Sequence, residues 1–251
     1  MNKHTTTFVV NSKTADCMGR IFPKILNQIV SDAASEHTIE LGVDRLTLNK
    51  EGLTWMLHSV HFSIEQTPHV DDVLQVTTYP SGLDRLFALR CYEINNSDGK
   101  PMIKISSRWM QIDLSKRRPV RPTPAIVQLN DGLSLSPDMP QGLLNAKNMP
   151  TNLTEVRQFC ATFDHIDFNG HVTQAAYMMW LTNSLSYSFH TSHELAEAEV
   201  VYQHEIMPES TIRALIATTE NADGTTTIYH KLISESADTE HCIARTVWRK
   251  R

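Results

Sequence analysis

The pattern of hydrophobic and polar positions in the first half of the chain predicts one helix followed by a series of strands. Residues 5–10 form a run of threonine, phenylalanine and valine that is typical of a strand. A helix is predicted over residues 22–34, where apolar side chains recur at helical spacing at Ile25, Leu26, Ile29 and Val30. Strand-like runs follow at residues 53–64, 72–79, 86–94 and 102–114.

The second half repeats this plan. A strand is predicted at residues 153–162 and a long helix at residues 172–189. Further strands are predicted at residues 198–205, 211–219, 225–232 and 241–248. Local details match as well, because Glu65 and Pro68 in one half correspond to Glu205 and Pro208 in the other, and a tryptophan follows at nearly equal distance in both. We therefore predict a tandem duplication.

Each half then consists of one helix that buries its apolar stripe against an antiparallel sheet, which is an α+β arrangement. A long helix wrapped by a curled sheet in the order β-α-β-β-β-β is the hot-dog pattern, so the chain is predicted to be a tandem (double) hot-dog. We place the N-terminal unit at residues 1–118 and the C-terminal unit at residues 151–251. Residues 119–150, rich in proline, asparagine and glycine, are predicted to be a linker.

Composition and charge exclude some classes of function. Of the 251 residues, 41% are hydrophobic and 20% are charged, as in an ordinary globular protein, and the net charge of −5 argues against a general nucleic-acid binder. Neither a signal-peptide core nor a run of about 18 apolar residues is present, so we expect no membrane span and a cytoplasmic location. The scattered cysteines read as reduced thiols, and the isolated histidines lack ligand spacing, so no metal and no cofactor are expected.

The densest cluster of reactive side chains lies between a predicted strand and the second helix, at residues 164–171. It includes Asp167, Asn169, Gly170 and His171, and His171 is predicted at or just before the helix start. Backbone N–H groups at a helix start lack intrahelical partners, and the helix dipole favours negative charge there, which suits an oxyanion. The same residue types also form plain loops and N-caps, so chemistry alone leaves both interpretations open.

The run from Asp167 to Trp180, with His171-Val172 and Tyr177 at matching positions, resembles the signature of acyl-acyl-carrier-protein thioesterases of plants and bacteria. The segment 106–110 and the segment 201–205 resemble two further segments of that family. The resemblance covers residues 20–248 and implies a double hot-dog that hydrolyses fatty acyl thioesters of an acyl carrier protein (ACP).

The resemblance implies a catalytic group of Asp167, Asn169, His171 and Glu205. Plant members carry a cysteine directly after that glutamate, but Ile206 stands there, so water is the expected nucleophile. Either Glu205 or Asp167 would activate the water while the other orients His171. Asn169 would hold the water or the carbonyl, and backbone N–H groups near Gly170 and His171 would stabilise the oxyanion. The first half lacks this Asp-x-Asn-x-His motif, so one active site per chain is expected.

Substrate and partner contacts are also implied by the resemblance. Candidates for an acyl slot in the first unit are Ile25, Leu26, Ile29, Trp55, Leu57 and Val60, for which ordinary core packing is the alternative. The carrier is strongly acidic in this family, and a basic cluster could steer it electrostatically: Lys116, Arg117, Arg118 and Arg121. A solvated loop is the alternative for this cluster, and a homodimer is left open.

Competing functions remain at this point. An acyl-CoA thioesterase of the same fold cannot be separated by sequence. A hot-dog dehydratase or hydratase carries a signature closer to Asp-x-Asn-Pro-hydrophobic-His, and no proline lies between Asp167 and His171. A non-catalytic acyl-binding module is the third class, left open by Thr173-Gln174 and Ile206, which depart from the family pattern.

Overall fold

The computed structural model describes residues 3–236 and 238–251, which form two compact units. The first unit contains the chain up to Asn11 together with Ile29–Gly142, and the second contains Ser12–Gln28 together with Leu143–Arg251. In the described part of the chain, no helix combines the length and the apolar character needed to cross a membrane.

The sheet of the first unit has the strand order β1-β3-β4-β5-β2, and every neighbouring pair is antiparallel. A short strand, β6, pairs with the far end of β5. The strands are β1 (His4–Val9), β2 (Leu53–Ile64), β3 (Val73–Asp84), β4 (Phe87–Asn95), β5 (Pro101–Asp113) and β6 (Arg118–Val120). The helices in residues 3–142 are α1 (Pro23–Glu40), α2 (Arg45–Lys50) and α3 (Pro124–Leu129).

Helix α2 was not predicted from the pattern because it is only six residues long. It begins at the N-cap Asp44, whose carboxylate accepts hydrogen bonds from the amides of Leu46 and Thr47. Directly before it, the carbonyl of Val43 accepts a hydrogen bond from the indole of Trp55 at 2.9 Å. The short helix is therefore stabilised by its N-cap and by the hydrogen bond between Val43 and Trp55 of β2. It has no long amphipathic stripe that a sequence pattern could reveal.

The second unit repeats the topology of the first, with the order β7-β9-β10-β11-β8. Its elements are β7 (Thr154–Cys160), α4 (Gln174–Asn183), α5 (Tyr187–Ser192), β8 (His193–Tyr202), β9 (Thr211–Glu220), β10 (Thr225–Ser234) and β11 (Glu240–Lys250). The paired tryptophans are also equivalent, since Trp109 donates to the hydroxyl of Ser107 and Trp248 to that of Thr246, both at 2.8 Å. The predicted α+β class and internal duplication are confirmed.

The prediction of one long helix over residues 172–189 was wrong, because α4 ends at Asn183 and α5 begins at Tyr187. Two serines interrupt the helix. Ser184 donates its hydroxyl to the carbonyl of Leu181 at 2.6 Å, and Ser186 accepts from the amide of Phe189 at 3.1 Å. Serine side chains that bond to nearby backbone groups compete with the helical ladder, so the chain stops one helix and caps the next.

In the structure, the chain up to Gly142 clusters with the first unit, and this includes most of the residues 119–150 that are predicted to be a linker. This strap, residues 121–142, lies over the sheet. Asn130 accepts a hydrogen bond from the amide of Gly82 at 3.1 Å, and the carbonyl of Pro140 accepts one from Ser106 at 2.5 Å. Met139 packs against Tyr79 and Cys91 in a buried cluster. Buried backbone must find partners, and the sheet supplies them.

The unit boundaries predicted at residues 1–118 and 151–251 change in one further respect. Residues 12–28 precede most of the first sheet in sequence, yet they cluster with the second unit. Contacts between distant parts of the chain decide this assignment, and a pattern of hydrophobic positions cannot show them.

At Gly82, the backbone of the strap leaves no room for a side chain larger than that of glycine. Its φ is +108°, and an added Cβ would lie 2.7 Å from the carbonyl oxygen of Leu133. We expect Gly82→Ala to lower the free energy of unfolding by about 2 kcal/mol or more, because backbone strain and a clash with main chain combine. Gly224→Ala is the control, since its φ is also positive but nothing lies within 4 Å of the added Cβ. That change should cost about 1 kcal/mol, and equal losses in urea denaturation would contradict the strap contact.

Candidate active site

Asp167 organises the loop that carries the predicted catalytic residues. Its Oδ1 accepts hydrogen bonds from the amides of Asn169 at 2.8 Å and His171 at 3.2 Å, and its Oδ2 accepts one from the side-chain amide of Asn169 at 3.0 Å. The backbone closes the same turn, because the amide of Asp167 donates to the carbonyl of His171 and that of Gly170 to the carbonyl of Asp167. Gly170 adopts φ +82°, which favours glycine at this position.

The imidazole of His171 meets the carboxylate of Glu205, with Nε2 3.3 Å from Oε2. Both side chains remain accessible, at 25% and 42% exposure respectively. The prediction that residues 198–205 form a strand was wrong at its end, because β8 stops at Tyr202 and Glu205 lies in the following loop. The structure thus brings together an acid, an amide and an imidazole that a water molecule could reach.

Two hydrogen bonds hold Glu205 opposite the loop. The amide of Val172, directly after His171, donates to the carbonyl of Ile206, directly after Glu205, at 3.1 Å. On the other side of Glu205, the buried hydroxyl of Tyr177 donates to the carbonyl of His204 at 3.2 Å. Burial raises the pKa of Tyr177, so its hydroxyl stays a neutral donor. One backbone bond and one side-chain bond therefore hold the main chain on both sides of Glu205.

The predicted oxyanion donors are engaged within the loop. The amide of Gly170 donates to the carbonyl of Asp167, and that of His171 to the Asp167 carboxylate. Helix α4 begins only at Gln174, after the N-cap Thr173, whose hydroxyl accepts from the amide of Ala176. The expectation that these two amides serve an oxyanion at a helix start was wrong, because the loop uses them to close its own turn and the helix starts later.

Helix α4 is fixed beneath the loop by aromatic packing. Trp180 is 1% exposed, lies 5.3 Å from the ring of His165 in an edge-on contact and stacks on Phe159 at 5.8 Å. The carbonyl of His165 also accepts the amide of Thr173, the N-cap of the helix. These contacts connect the strand before the loop with the helix after it.

The six predicted acyl contacts mostly belong to the core. Four are buried: Leu26, Ile29, Leu57 and Val60. Ile25 and Trp55 are half-buried, and the indole of Trp55 is committed to the carbonyl of Val43. Their role toward an acyl chain stays a prediction.

The basic cluster extends from the turn between β5 and β6 to the residue after β6. Lys116, Arg117, Arg118 and Arg121 are all exposed. Lys116 lies 3.8 Å from Asp113, a contact too exposed to bind either charge firmly. The cluster is accessible, and its role toward a partner stays a prediction.

Sequence reasoning missed Asn27, which lies on α1 and clusters with the second unit. Its side chain is 1% exposed, and its amide donates to the carbonyl of Gln174 and the hydroxyl of Tyr202, both at 3.4 Å. Gln174 opens α4 just after the loop, and Tyr202 ends β8 just before Glu205. Asn27 therefore joins the two segments that carry the candidate pair, and no local motif indicates this.

Sequence reasoning also missed a second copy of the loop at residues 15–21. The amides of Met18 and Arg20 donate to Oδ1 of Asp16, the amide of Gly19 to its carbonyl, and the amide of Asp16 to the carbonyl of Arg20. Gly19 has φ +77°, as Gly170 has +82°. Isolated antiparallel bridges also flank both loops, Ala15 with Ile21 and Ile166 with Val172.

In the second copy of the loop, the last residue makes structural contacts instead of facing a carboxylate near solvent. Arg20 stands where the other loop has His171 and forms an ion pair with Asp16 at 2.7 Å. Its guanidinium also donates to the carbonyls of His190 and His193, at the end of α5, at 2.9 and 2.8 Å. The shared spacing of Asp16 and Gly19 with Asp167 and Gly170 is the signal that would have revealed this loop from the sequence.

Comparison with known families identifies both halves of the chain. Residues 1–129 match the acyl-ACP thioesterase N-terminal domain, and residues 149–250 match the acyl-ACP thioesterase C-terminal domain. The chain belongs to the acyl-ACP thioesterase family. The candidate pair of this family member lies within the C-terminal match.

Individual relatives of the acyl-ACP thioesterase family agree in fold. An acyl-[acyl-carrier-protein] hydrolase of Cuphea viscosissima is 22% identical over 80% of this chain and 49% of its own length. The chain thus spans about half the length of the curated relatives that it matches first. A provisionally named oleoyl thioesterase of Lactobacillus plantarum has a TM-score of 0.87 at 24% identity, covering 99% of this chain and 96% of its own.

A second solved structure extends the likeness. An acyl-ACP thioesterase of Bacteroides thetaiotaomicron has a TM-score of 0.85 at 21% identity and covers 98% of both chains. The predicted double hot-dog fold of this acyl-ACP thioesterase family member is confirmed by these likenesses.

The two loops allow a comparison of one aspartate in two settings. We expect Asp16→Asn to lower the free energy of unfolding by about 2–3 kcal/mol more than Asp167→Asn, because it leaves the guanidinium of Arg20, 7% exposed, without its carboxylate. Both changes keep an oxygen that accepts the loop amides. Asp167→Asn also removes the acceptor of the Asn169 side-chain amide, so the difference compares the Asp16–Arg20 ion pair with that one exposed hydrogen bond. Urea denaturation of the two variants measures it, and equal losses would show that the Arg20 pair contributes no more to folding than the exposed bond.

Proposed function

We propose that this chain hydrolyses fatty acyl-ACP thioesters and releases a free fatty acid and the carrier with its thiol. The proposal depends on the 3.3 Å contact between His171 Nε2 and the Glu205 carboxylate, beside a loop ordered by Asp167. Membership of the acyl-ACP thioesterase family supports the reaction class.

The geometry favours different roles for the carboxylates of Asp167 and Glu205. The oxygens of Asp167 accept two backbone amides and the Asn169 side chain, so this residue orders the loop. Glu205 contacts the imidazole instead. If Nε2 of His171 donates to Glu205, the free Nδ1 can accept a proton from water, as in other carboxylate–imidazole pairs.

The reaction then proceeds in two steps. Water attacks the thioester carbonyl as His171 takes one of its protons, which forms the C–O bond and a tetrahedral oxyanion. The C–S bond then breaks, and the imidazolium, stabilised by Glu205, returns the proton to the leaving thiolate. Asn169 is exposed, and the second N–H of its side-chain amide is available for the substrate oxygen.

The accessible basic cluster favours a carrier protein over coenzyme A as the acyl donor. A small acidic protein presents many carboxylates to a surface, and complementary charge raises its rate of association. The acyl-CoA thioesterase function is kept as the second candidate, and the cytoplasmic location stays a prediction.

The catalytic pair is tested by Glu205→Gln and His171→Ala. Each should lower kcat for a fatty acyl-ACP substrate by about 100-fold to 10,000-fold, because proton transfer loses either its base or the group that orients it. Free thiol release with a chromogenic thiol reagent measures the rate. Glu209→Gln is the matched control, since Glu209 is an exposed glutamate in the same loop and should keep full activity. Full hydrolysis by the His171→Ala variant would overturn the assignment.

The carrier preference is tested by neutralising part of the basic cluster. The double change Arg118→Ser and Arg121→Ser should raise KM for acyl-ACP about 5-fold at low salt and leave KM for the same acyl group on coenzyme A unchanged, because only the protein carrier spans the cluster. Arg85→Ser with Lys100→Ser removes two exposed charges elsewhere in the first unit as a control. An equal rise for both donors would contradict the docking role.

A further inference from the structure

The segment that carries Glu205 is bound to the first residues of β11 by backbone hydrogen bonds. The amides of Gln203 and His204 donate to the carbonyl of His241, at 2.9 and 3.4 Å. These bonds continue the pairing of β8 with β11 for a short distance beyond Tyr202, where β8 ends. The position of β11 therefore determines where the main chain lies directly before Glu205.

A side chain of β11 adds a further hydrogen bond to the same segment. Nδ1 of His241 lies 3.2 Å from the carbonyl oxygen of His204. This carbonyl also accepts the hydroxyl of Tyr177 at 3.2 Å, so it receives two side-chain donors, one from β11 and one from α4. The planar peptide group that contains this carbonyl also contains the backbone nitrogen of Glu205. Holding the carbonyl therefore fixes the start of the residue that faces His171.

The contact with the carbonyl determines which ring nitrogen of His241 carries hydrogen. A carbonyl oxygen only accepts, so Nδ1 is the donor. Burial lowers the pKa of His241, and the backbone carbonyls of His204 and Glu205 oppose this only in part, so the ring is neutral near pH 7. Its Nε2 is buried and has no hydrogen-bond partner among the residues that the structure describes. His241 therefore holds the segment through Nδ1 alone.

The pair of His171 and Glu205 needs this support because its own contact is exposed. The carboxylate lies 3.3 Å from the imidazole and is 42% exposed. An ion pair that water reaches contributes little to holding two segments together. Proton transfer depends strongly on geometry, and a displacement of about 1 Å can lower a rate about 100-fold. The distance within the pair therefore depends on how firmly the main chain beneath it is held.

We propose that His241 is a positioning residue, which holds Glu205 at the imidazole of His171 by donating its Nδ1 hydrogen to the carbonyl of His204. The inference rests on the proposed function for its kinetic readout, since it assigns a role within that hydrolysis. The contact itself belongs to the folded chain, so its effect on the backbone is measured without any substrate.

The kinetic test separates positioning from substrate binding. His241→Ala removes the donor and should lower kcat for a fatty acyl-ACP about 10-fold with KM changed less than 2-fold, because the substrate still binds but the catalytic pair is displaced. His241→Asn keeps an N–H group close to the place of Nδ1 and should retain at least half of the wild-type kcat. His241→Gln carries its amide one carbon further out and should be as slow as His241→Ala. An asparagine variant no faster than these two overturns the proposal.

A double-mutant cycle shows whether His241 acts through Glu205. On the Glu205→Gln background, His241→Ala should lower kcat less than 2-fold, because the carboxylate that it positions is already absent. A 10-fold loss on both backgrounds would show that His241 acts independently of Glu205, which contradicts a positioning role.

His230→Ala is the matched control, since His230 is a buried histidine on the neighbouring strand β10. Its ring contacts the hydroxyls of Thr246 and Ser184, at 2.8 and 3.4 Å, and neither residue belongs to the segments of the candidate site. This change should lower the midpoint of thermal unfolding but leave kcat and KM within 2-fold. A loss of kcat as large as that of His241→Ala would show that kcat follows stability alone, and the proposal would fail.

Amide hydrogen exchange measures the same contact without substrate. The amide of Val172 donates to the carbonyl of Ile206, directly after Glu205, so its protection reports whether the segment stays in place. His241→Ala should speed exchange at Val172 about 10-fold, whereas His230→Ala should change it less than 2-fold. Unchanged exchange in the His241→Ala variant, or equal acceleration in both variants, overturns the proposal.

Failure of this inference is distinguishable from failure of the proposed function. A chain that hydrolyses acyl-ACP with the same kcat in the wild type and in His241→Ala retains the proposed function and loses this inference. A chain that releases no thiol, yet exchanges Val172 faster only in the His241→Ala variant, loses the proposed function and retains the hold of His241 on the Glu205 segment.

Discussion

The candidate site depends on one main-chain hydrogen bond, from the amide of Val172 to the carbonyl of Ile206. Each of these residues directly follows one member of the pair His171 and Glu205, so the bond sets the distance between the segments that carry them. A backbone bond has no side-chain freedom to lose, which makes it a firmer constraint than the partly exposed ion pair that it positions. Tyr177 and Asn27 support the same arrangement from the buried side.

The duplicated fold shows how one loop geometry can carry two roles. Asp16 and Asp167 close the same turn with the same set of backbone amides, and a glycine with positive φ follows each of them. The residue at the end of the turn then determines the role. Arg20 reaches buried carbonyls and fixes the end of a helix, whereas His171 stays partly exposed beside a carboxylate. A loop that is stable through its own backbone bonds tolerates this exchange of one side chain.

The sequence by itself determined most of the strands, the duplication, and the residues of the candidate site, because alternating hydrophobic positions and a compact motif are local properties. Strand β2 was predicted with its observed bounds, and Asp167, Asn169 and His171 are close in sequence. Tertiary structure alone decided the folding of the strap onto the first sheet and the assignment of residues 12–28 to the second unit. It also decided that Asn27 joins the two segments that carry the candidate pair. These features depend on which distant groups meet, and hydrogen-bond partners and counter-ions far apart in the chain leave no periodic pattern in it.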